Sequence, residues 1–251
     1  MKTAFLCVAA ACALAGQSGP FGGDPPFLTQ DGWTPLLDGN SLAGWKSYGK
    51  LGNEWMNCRG IVWDGNAAPG RLACTGGPGD RILNGPKNRT NNIFTERKFG
   101  DAELYVEFLL AKASNSGVYL GGLYEVQIFD SFGATELKTA DSGAIYQRWI
   151  DNQGVGGSVP RVNASRPPGQ WQWFHVWFRA PRFDAAGRKT ENAKFLRVVY
   201  NGVVVQENVE VDGPTRAHMD LPEAPENPVM LQGDHGPVAY RNLYVRPLAT
   251  R

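Results

Sequence analysis

Short segments in which apolar and polar residues alternate recur along the chain, and this period of two predicts β-strands. In the segment 102–110, four apolar residues alternate with positions that include Glu103 and Glu107. This segment is expected to form a strand with one side facing the core. The segment 171–179 is largely apolar on both sides. That pattern predicts a central strand that is covered on both faces.

Glycine-containing turns separate several of these segments. Asn201-Gly202 lies between two apolar runs, and this dipeptide is favoured in the type I′ turns of β-hairpins. Gly121-Gly122 separates the segments 115–120 and 124–130 in the same way. Long segments with the period of a helix are absent. Strands that follow one another through hairpins favour an all-β fold, an antiparallel β-sandwich, in a single domain over residues 33–248.

The composition agrees with a large β-domain and argues against some partners. With 251 residues, of which 42% are hydrophobic, the chain is long enough to bury a full core. Its 31 glycines and 17 prolines favour many turns. The formal charge is +1 and no basic face is evident, so nucleic acids and anionic membrane surfaces are not expected as partners.

The first residues have the pattern of an export leader. Lys2 precedes an apolar run, and Ala13 and Ala15 provide a small-residue cleavage pattern. Residues 1–15 are therefore predicted to be a secretory signal peptide, and the Gly- and Pro-rich residues 16–32 a flexible spacer. Alternatively, Cys12 is the lipid-modified N-terminus of a lipoprotein. Both alternatives predict an exported protein, periplasmic or secreted, and no later segment is apolar enough to span a bilayer.

Two cysteines, Cys58 and Cys74, follow the leader. Because disulfides are common in exported proteins, these two residues are predicted to be bonded to each other. The alternative is a two-cysteine metal site, although neither residue belongs to a Cys-x-x-Cys pair.

The segment 124–130 has polar side chains on one face. Alternation places Glu125 and Gln127 on one side, and the apolar residues between and after them on the other. A one-residue bulge after Gln127 would bring the Asp130 carboxylate round to the side of Glu125. Alternatively, Glu125 and Asp130 are solvated positions on a half-exposed strand.

The segment 131–170 follows directly and has almost no regular pattern. Such a long irregular loop is unusual in a compact domain, so it is either a binding loop or disordered. Its position after the polar strand favours a wall or lid of a site. Asp141, Tyr146 and Arg148 are its polar candidates.

A second group of polar residues, Gln232 to His235, interrupts an apolar pattern near the C-terminus. Histidine and carboxylates can serve as general acids or bases, so Glu125, Asp130 and His235 are candidate catalytic residues. The same three side chains are candidate ligands of a divalent metal, and no organic cofactor is expected. Alternatively, His235 only braces the turn at residues 233–237.

Several short segments of the sequence resemble motifs of the 3-keto-disaccharide hydrolase family, a domain widespread in exported bacterial proteins. The matching segments are residues 34–39, 44–45, 115–120, 124–130, 143–146, 168–171, 201–203, 231–238 and 240–242. They occur in the order of the family. The resemblance implies a concanavalin A-like β-jelly roll that acts on glycosides oxidised at C3, as a hydrolase or as a lyase or hydratase.

The implied chemistry starts at the C3 ketone, which acidifies the proton on C2. Glu125 or His235 could remove this proton, the C1 substituent would leave, and a cation or donor array would stabilise the enolate oxygen. The candidates for contacting an oligosaccharide substrate are Asn115, Gln127, Tyr146, Gln232 and Arg241. Relatives often carry an arginine before the Tyr-Glu strand, where this chain has Gly121-Gly122-Leu123, and this departure could alter substrate choice.

The alternative function is a lectin-like β-sandwich that binds sugars without catalysis. Tryptophan and tyrosine rings on a sheet stack on sugar faces in both cases. A lectin, however, needs no acid or base beside the sugar, so turnover would separate the two functions.

Overall fold

The computed structural model describes residues 24–39 and 41–248. The predicted leader at residues 1–15, with Cys12, and the part of the predicted spacer at residues 16–23 lie outside the described residues. Among the residues that are described, no helix is long and apolar enough to cross a membrane.

Short antiparallel strands make up most of the described chain. The elements are α1 (Pro26–Thr29), β1 (Thr34–Pro35), β2 (Trp45–Tyr48), β3 (Met56–Cys58), β4 (Gly60–Val62), β5 (Ala73–Thr75), β6 (Arg81–Leu83), β7 (Asn92–Phe99), β8 (Ala102–Leu110), β9 (Asn115–Leu120), β10 (Tyr124–Phe129), β11 (Arg148–Ile150), β12 (Gln153–Val155), β13 (Trp171–Arg179), β14 (Arg182–Phe183), β15 (Lys189–Glu191), β16 (Ala193–Tyr200), β17 (Val203–Val211), β18 (Asn227–Leu231) and β19 (Val238–Pro247).

Two antiparallel sheets pack face to face. The large sheet has the order β17-β16-β13-β8-β19-β6-β3, with β1 paired to β19, and the small sheet has the order β10-β9-β18-β7-β2. The core between them combines Val106 and Phe174 of the large sheet with Val126 and Leu231 of the small sheet, all fully buried. The predicted all-β antiparallel sandwich of the concanavalin A-like type is therefore confirmed.

The two strands with the strongest sequence patterns lie side by side in the middle of the large sheet. β8 and β13 have the predicted bounds, and Val106 pairs with Phe174 in their ladder. On the outer face, the rings of Tyr105 and Trp173 stack with centroids 5.7 Å apart. This stacking explains why β13 is apolar on both faces.

Both predicted hairpin turns are present. Asn201 (φ 48°) and Gly202 (φ 89°) join β16 to β17 with the two positive φ angles of a type I′ turn. Gly121 and Gly122, both at φ 64°, join β9 to β10. Residues other than glycine rarely adopt this backbone conformation, so the paired glycines set the register of the hairpin that carries Glu125.

The described part of the predicted spacer is packed rather than free. The Phe27 ring of α1 stacks on Tyr244 with a centroid distance of 4.0 Å and contacts Tyr105 at 5.3 Å. An aromatic ring that covers an apolar sheet face gains more by burial than it loses in chain entropy, so the flexible spacer does not extend to this segment.

A disulfide joins Cys58 of β3 to Cys74 of β5, as predicted, with a Cα–Cα distance of 5.4 Å. The bonded residues are 16 positions apart. The bond attaches the β4–β5 ribbon to the edge of the large sheet.

Removing this disulfide is expected to destabilise the fold. Closing a loop of this length restricts the unfolded chain and contributes about 3 kcal/mol. A Cys58→Ser/Cys74→Ser variant should therefore melt roughly 6–12 °C below the native protein in a thermal unfolding experiment. Reduction of the native protein should lower its melting temperature to the same value, and an unchanged melting temperature in both would contradict the prediction.

Candidate active site

The polar strand is β10, at the edge of the small sheet. In its ladder with β9, Glu125 lies opposite Tyr119 and Gln127 lies opposite Gly117. The register is continuous to the last pair, Phe129 and Asn115. The predicted bulge after Gln127 is therefore absent, and alternation holds along the whole strand.

Asp130 consequently lies apart from Glu125. Its backbone N–H donates to the Ser114 carbonyl at 3.0 Å, and its Oδ2 accepts from the Ala113 N–H at 2.8 Å. Five residues of strand span about 16 Å. The Asp130 carboxylate thus stabilises the β8–β9 turn and does not converge with Glu125, contrary to the expectation from sequence.

The Glu125 side chain lies across Gly117 and is only 2% exposed. A Cβ atom at position 117 would be 2.9 Å from Cγ and 2.8 Å from Cδ of Glu125, and closer still to Oε1. These separations are well inside ordinary carbon contacts. The carboxyl group therefore occupies the space that any other residue at position 117 would fill.

Burial raises the pKa of Glu125 to about 8. Loss of water is the main cause, the negative charge of Asp234 adds to it, and a hydrogen bond with the Tyr119 hydroxyl acts in the opposite direction. The Tyr119 hydroxyl also lies 3.3 Å from the carbonyl oxygen of Arg216. Because a hydroxyl has one proton, a protonated Glu125 can donate to Tyr119 while Tyr119 donates to Arg216. The site thus suits a neutral carboxyl group near pH 7.

His235 lies in the loop after β18, with its imidazole held by the preceding residue. Its Nδ1 is 2.6 Å from Oδ1 of Asp234, and half of the histidine side chain is exposed. This hydrogen bond is the main cause that raises the pKa of His235, while partial burial and the guanidinium groups of Arg89 and Arg216 lower it. In the neutral imidazole the proton therefore stays on Nδ1, and Nε2 is the basic nitrogen.

Gln232 connects this loop to the strand pair that carries Glu125. Its backbone N–H donates to the Gly117 carbonyl at 3.0 Å, and its Nε2 lies 3.2 Å from His235 Nδ1. The side chain is 4% exposed, and its Oε1 has no hydrogen-bond partner in the part of the chain that the structure describes. Because Nδ1 carries a proton, the Gln232 amide turned by 180° would accept from it through Oε1 and leave Nε2 free, so this buried amide can offer a ligand either an acceptor or a donor.

Two loops cover the outer edge of β10 beside Glu125. The Tyr146 N–H donates to the Glu125 carbonyl at 3.1 Å, and the Glu125 N–H donates to Thr215 Oγ1 at 3.1 Å. Arg216 follows Thr215, and its guanidinium group stacks on the Trp149 ring at 3.8 Å. The loop 131–170 therefore forms a wall of the site, as predicted, and the segment after β17 contributes a second one.

The remaining polar candidates of the loop 131–170 have structural partners. Asp141 accepts hydrogen bonds from Ser131 Oγ and from the Lys138 N–H, both at 2.7 Å. Arg148 forms an ion pair with Asp212 at 2.6 Å. Both side chains thus stabilise loops.

Two predicted contacts for sugar lie on the same side of the small sheet as Glu125. Gln127 is 3% exposed and its Oε1 accepts from the Ile128 N–H at 3.0 Å. Asn115 begins β9 and lies against the loop of His235, where a Cβ atom at Gly236 would be 2.8 Å from the Asn115 nitrogen.

Arg241 lies in the other layer, on the outer face of the large sheet. Its Nε is 2.5 Å from Glu107 Oε2, and its guanidinium group covers the Trp171 ring at 4.2 Å. Since Tyr240 faces the core, alternation turns Arg241 away from the small sheet. The prediction that Arg241 lies close to Glu125 and His235 is wrong, and it pairs with a structural acid instead.

The described residues do not fit the predicted metal site. Among them, no group of three or more His, Cys, Asp or Glu side chains is close enough to hold an ion. Glu125, Asp130 and His235 therefore do not form the expected ligand set, and no step below depends on a metal.

Four residues of this site were not identified from the sequence. They are Gly117, Tyr119, Asp234 and Arg216. The hairpin turn at Gly121-Gly122 could have indicated Tyr119, because the turn sets which residue lies opposite Glu125. Arg216 lies in a loop without pattern, so the sequence offered no signal for it.

Replacing Gly117 by alanine should displace the Glu125 carboxyl group without straining the backbone, because Gly117 is a strand residue without a positive φ. Activity is expected to fall about as far as in a variant that lacks the carboxyl group. A double variant with Glu125→Ala measures this coupling: if Gly117→Ala acts through Glu125, it should cause no further loss there. Equal losses in both backgrounds would contradict a role in positioning Glu125.

A family model described as a 3-keto-alpha-glucoside-1,2-lyase-like domain matches residues 32–246. No protein of curated function matches the chain. Residues 32–246, which the family model matches, comprise nearly all of the two sheets and every side chain of the site.

Three solved structures of proposed glycosyl hydrolases from Parabacteroides distasonis have a similar fold. The first is 24% identical with a TM-score of 0.61, and the match covers 87% of this chain and 84% of that chain. The second is 19% identical with a TM-score of 0.55, covering 86% and 99%. The third is 16% identical with a TM-score of 0.54, covering 87% and 94%. At these identities the similarity establishes the fold.

Proposed function

Because the chain belongs to the family of 3-keto-alpha-glucoside-1,2-lyase-like domains, we propose that it is a carbohydrate-active enzyme that cleaves 3-keto-glycosides by elimination across C1 and C2. The observation that carries the proposal is the buried Glu125 carboxyl group, whose pKa is raised to about 8, in part by the charge of Asp234, the residue that holds His235. Burial raises the pKa of Glu125 and Asp234 raises the pKa of His235, so a protonated carboxyl group and a neutral imidazole coexist over a narrow range near neutral pH, as acid–base catalysis requires.

His235 would act as the base. Its Nε2 takes the proton from C2, which the C3 ketone makes acidic, while Asp234 holds the imidazolium ion that forms. The electron pair of the C2–H bond becomes the C1–C2 double bond as the bond from C1 to the glycosidic oxygen breaks. The transient negative charge on the C3 oxygen requires a cation, and Arg89 and Arg216 are both close enough to lower the pKa of His235.

Glu125 would act as the acid. It is protonated near pH 7 and gives its proton to the departing glycosidic oxygen, so the leaving sugar is released as an alcohol. The carboxylate that remains can take a proton from a water molecule that adds to C1, while His235 returns its proton to C2. This hydration restores both groups, and the overall result is hydrolysis.

Arg216 offers an explanation for the departure from the family at Gly121-Gly122-Leu123. The arginine that relatives often carry before the Tyr-Glu strand is absent here, but the backbone of Arg216, in the loop after β17, contacts Tyr119 of β9, and its guanidinium charge acts on His235. The proposed enolate stabiliser would then come from another part of the chain.

The test compares a 3-keto-disaccharide with its unoxidised parent, in D2O and with and without EDTA. We expect cleavage of the ketone only, with deuterium incorporated at C2, and no effect of EDTA. Cleavage of both sugars without deuterium at C2 would indicate ordinary glycoside hydrolysis. Binding of both sugars without any cleavage would support a lectin instead.

Export is proposed from the leader pattern at residues 1–15, and the disulfide between Cys58 and Cys74 agrees with an oxidising compartment. N-terminal analysis of the mature protein tests this. A start at Gly16 would support a cleaved leader, and a lipid-modified Cys12 would support the lipoprotein alternative. An intact Met1 in protein from its natural host would contradict export.

A further inference from the structure

A polar cavity of about 470 Å³ adjoins His235. It lies between three loops, at residues 70–71, 87–89 and 234–237. A volume of this size is within the range of small-ligand sites. Asp234, His235 and Arg89 also take part in the proposed chemistry, Arg89 through its charge, whereas the other six lining residues do not.

The charge in this cavity is strongly unbalanced. Arg71, Lys87 and Arg89 line it together with a single acidic residue, Asp234, whose Oδ1 is bonded to His235. Arg71 donates to the Pro86 carbonyl at 3.0 Å and Arg89 to the Asp234 carbonyl at 2.8 Å. Within residues 24–39 and 41–248, neither guanidinium group forms an ion pair with a carboxylate.

The third cation is only weakly neutralised. Lys87 Nζ lies 3.4 Å from Glu54 Oε1, and its side chain is 78% exposed. Exposed pairs of this kind contribute at most about 1 kcal/mol, so the ammonium group can exchange Glu54 for a ligand. The cavity therefore keeps a net positive charge available for an anion.

A buried asparagine holds two of the loops together. Asn88 is 5% exposed with φ 57°, and its side chain accepts from the Leu72 N–H and donates to the Leu72 carbonyl, both at 3.1 Å. This two-point contact sets Arg71, which precedes Leu72, opposite Lys87 and Arg89, which flank Asn88. The cations are thus carried by a rigid frame rather than by free loops.

A second asparagine, Asn84, ties in the third loop. It is fully buried, and its Nδ2 lies 3.1, 3.0 and 2.5 Å from the carbonyl oxygens of Asn88, Gly233 and Gly236, which share its two N–H donors. Its Oδ1 accepts from the Val238 N–H at 3.0 Å. This one side chain therefore contacts both the His235 loop and the loop at residues 87–89 and fixes one against the other. Such preorganisation lowers the entropic cost of ligand binding.

We infer that this cavity is a subsite for an anionic group on the substrate, so that the protein acts on acidic glycosides. The bound sugar would carry a carboxylate, sulfate or phosphate group on the ring next to the one oxidised at C3. Guanidinium groups bind all three anions through charge-assisted, two-point hydrogen bonds. The assignment as a substrate subsite depends on the proposed function, because it uses the position of His235, whereas anion binding in the cavity does not.

The first experiment measures binding without turnover. Unoxidised disaccharides that are neutral, or that carry a uronic acid, a 6-sulfate or a 6-phosphate, are titrated into the protein by calorimetry at low salt. An acidic sugar should bind about tenfold more tightly than the neutral one, which is the strength of one charge-assisted hydrogen bond. An Arg71→Gln/Arg89→Gln variant with a native melting temperature should lose this preference, and the best of the three acids identifies the anion.

Arg188→Gln is the matched control, because Arg188 is an exposed arginine in the β14–β15 turn, outside the three loops. It should keep the preference for the acidic sugar. Equal binding of neutral and acidic sugars by the native protein would overturn the inference. So would an equal loss of preference in Arg188→Gln, since that result indicates attraction by net charge alone.

The second experiment repeats the comparison with 3-keto derivatives and follows cleavage. A preference for acidic ketones in kcat/KM that disappears in the double variant supports the subsite. If no ketone is cleaved but the acidic parent sugars still bind preferentially, the proposed function fails and the anion site remains. If all ketones are cleaved equally well, the proposed function holds and the acidic substrate class is excluded.

Discussion

Replacing Glu125 by glutamine is expected to lower turnover by roughly a hundredfold or more, the loss expected for a general acid, and at the same time to stabilise the protein at alkaline pH. The first effect follows from the loss of the only proton that the site holds for the leaving group. The second follows from burial, because the carboxyl group is 2% exposed and costly to ionise. A residue that only supported the fold would not show this combination.

The direction of the pH effect follows from the two pKa values. Glu125 has an ordinary pKa of 4.5 in the unfolded chain and a pKa of about 8 in the folded protein. As the pH rises through this window, the unfolded state loses its proton first, so the free energy of unfolding decreases. The contribution of Glu125 to that free energy is lowest above pH 8. The full effect is on the order of 5 kcal/mol. Glutamine cannot ionise, so the variant lacks this loss.

Urea unfolding of both proteins between pH 4.5 and 9 measures the effect. The unfolding free energy of Glu125→Gln minus that of the native protein should increase steadily over this range. Glu96→Gln is the control, because Glu96 lies in the same sheet but its side chain is 51% exposed. A difference between Glu125→Gln and the native protein that does not vary with pH would contradict a protonated, buried Glu125.

Replacing His235 by alanine should also lower kcat/KM by roughly a hundredfold or more, because the proton on C2 would then have no base. The native protein should lose activity at low pH as His235 becomes protonated, with a midpoint above the ordinary pKa of 6.5 because Asp234 raises the pKa. It should lose activity again near pH 8 as Glu125 ionises. The result is a narrow, bell-shaped profile.

The two variants should each remove one side of this profile. Residual activity of His235→Ala should no longer fall at low pH, and that of Glu125→Gln should no longer fall near pH 8. His218→Ala is the control, because His218 is an exposed histidine whose Nδ1 contacts the Met219 carbonyl at 2.6 Å. Native activity in His235→Ala would eliminate His235 as the base.

The local features of the fold were largely predictable from the sequence. Strands β8 and β13 have the predicted bounds because alternation in β8 and the apolar residues on both sides of β13 report directly on which faces are buried. The hairpin turns at Gly121-Gly122 and Asn201-Gly202 were predictable because few residues adopt positive φ angles. The disulfide was predictable because two cysteines follow the leader, and the sheet face of Glu125 because alternation determines it.

The candidate site depended more on long-range contacts. Glu125 and Asp234 are far apart in sequence, and they meet because β9 pairs with β10 on one side and with β18 on the other. Arg241 and Asp130 were assigned to the wrong places for the same reason. Arg241 belongs to a strand of the large sheet, and the continuous β9–β10 register carries Asp130 to the far end of the hairpin.

The sequence by itself determined the strand periods, the turns and the outward direction of Glu125, because each depends on neighbours along the chain, and the disulfide, because two cysteines follow the leader. Only the tertiary structure decided that Tyr119 and Asp234 lie beside the Glu125 carboxyl group, that Arg216 contacts Tyr119, and that three cations face one cavity beside His235. The order of strands within a sheet and the docking of loops onto it depend on the fit of whole surfaces. Alternation along one strand carries no information about which other strand will lie beside it.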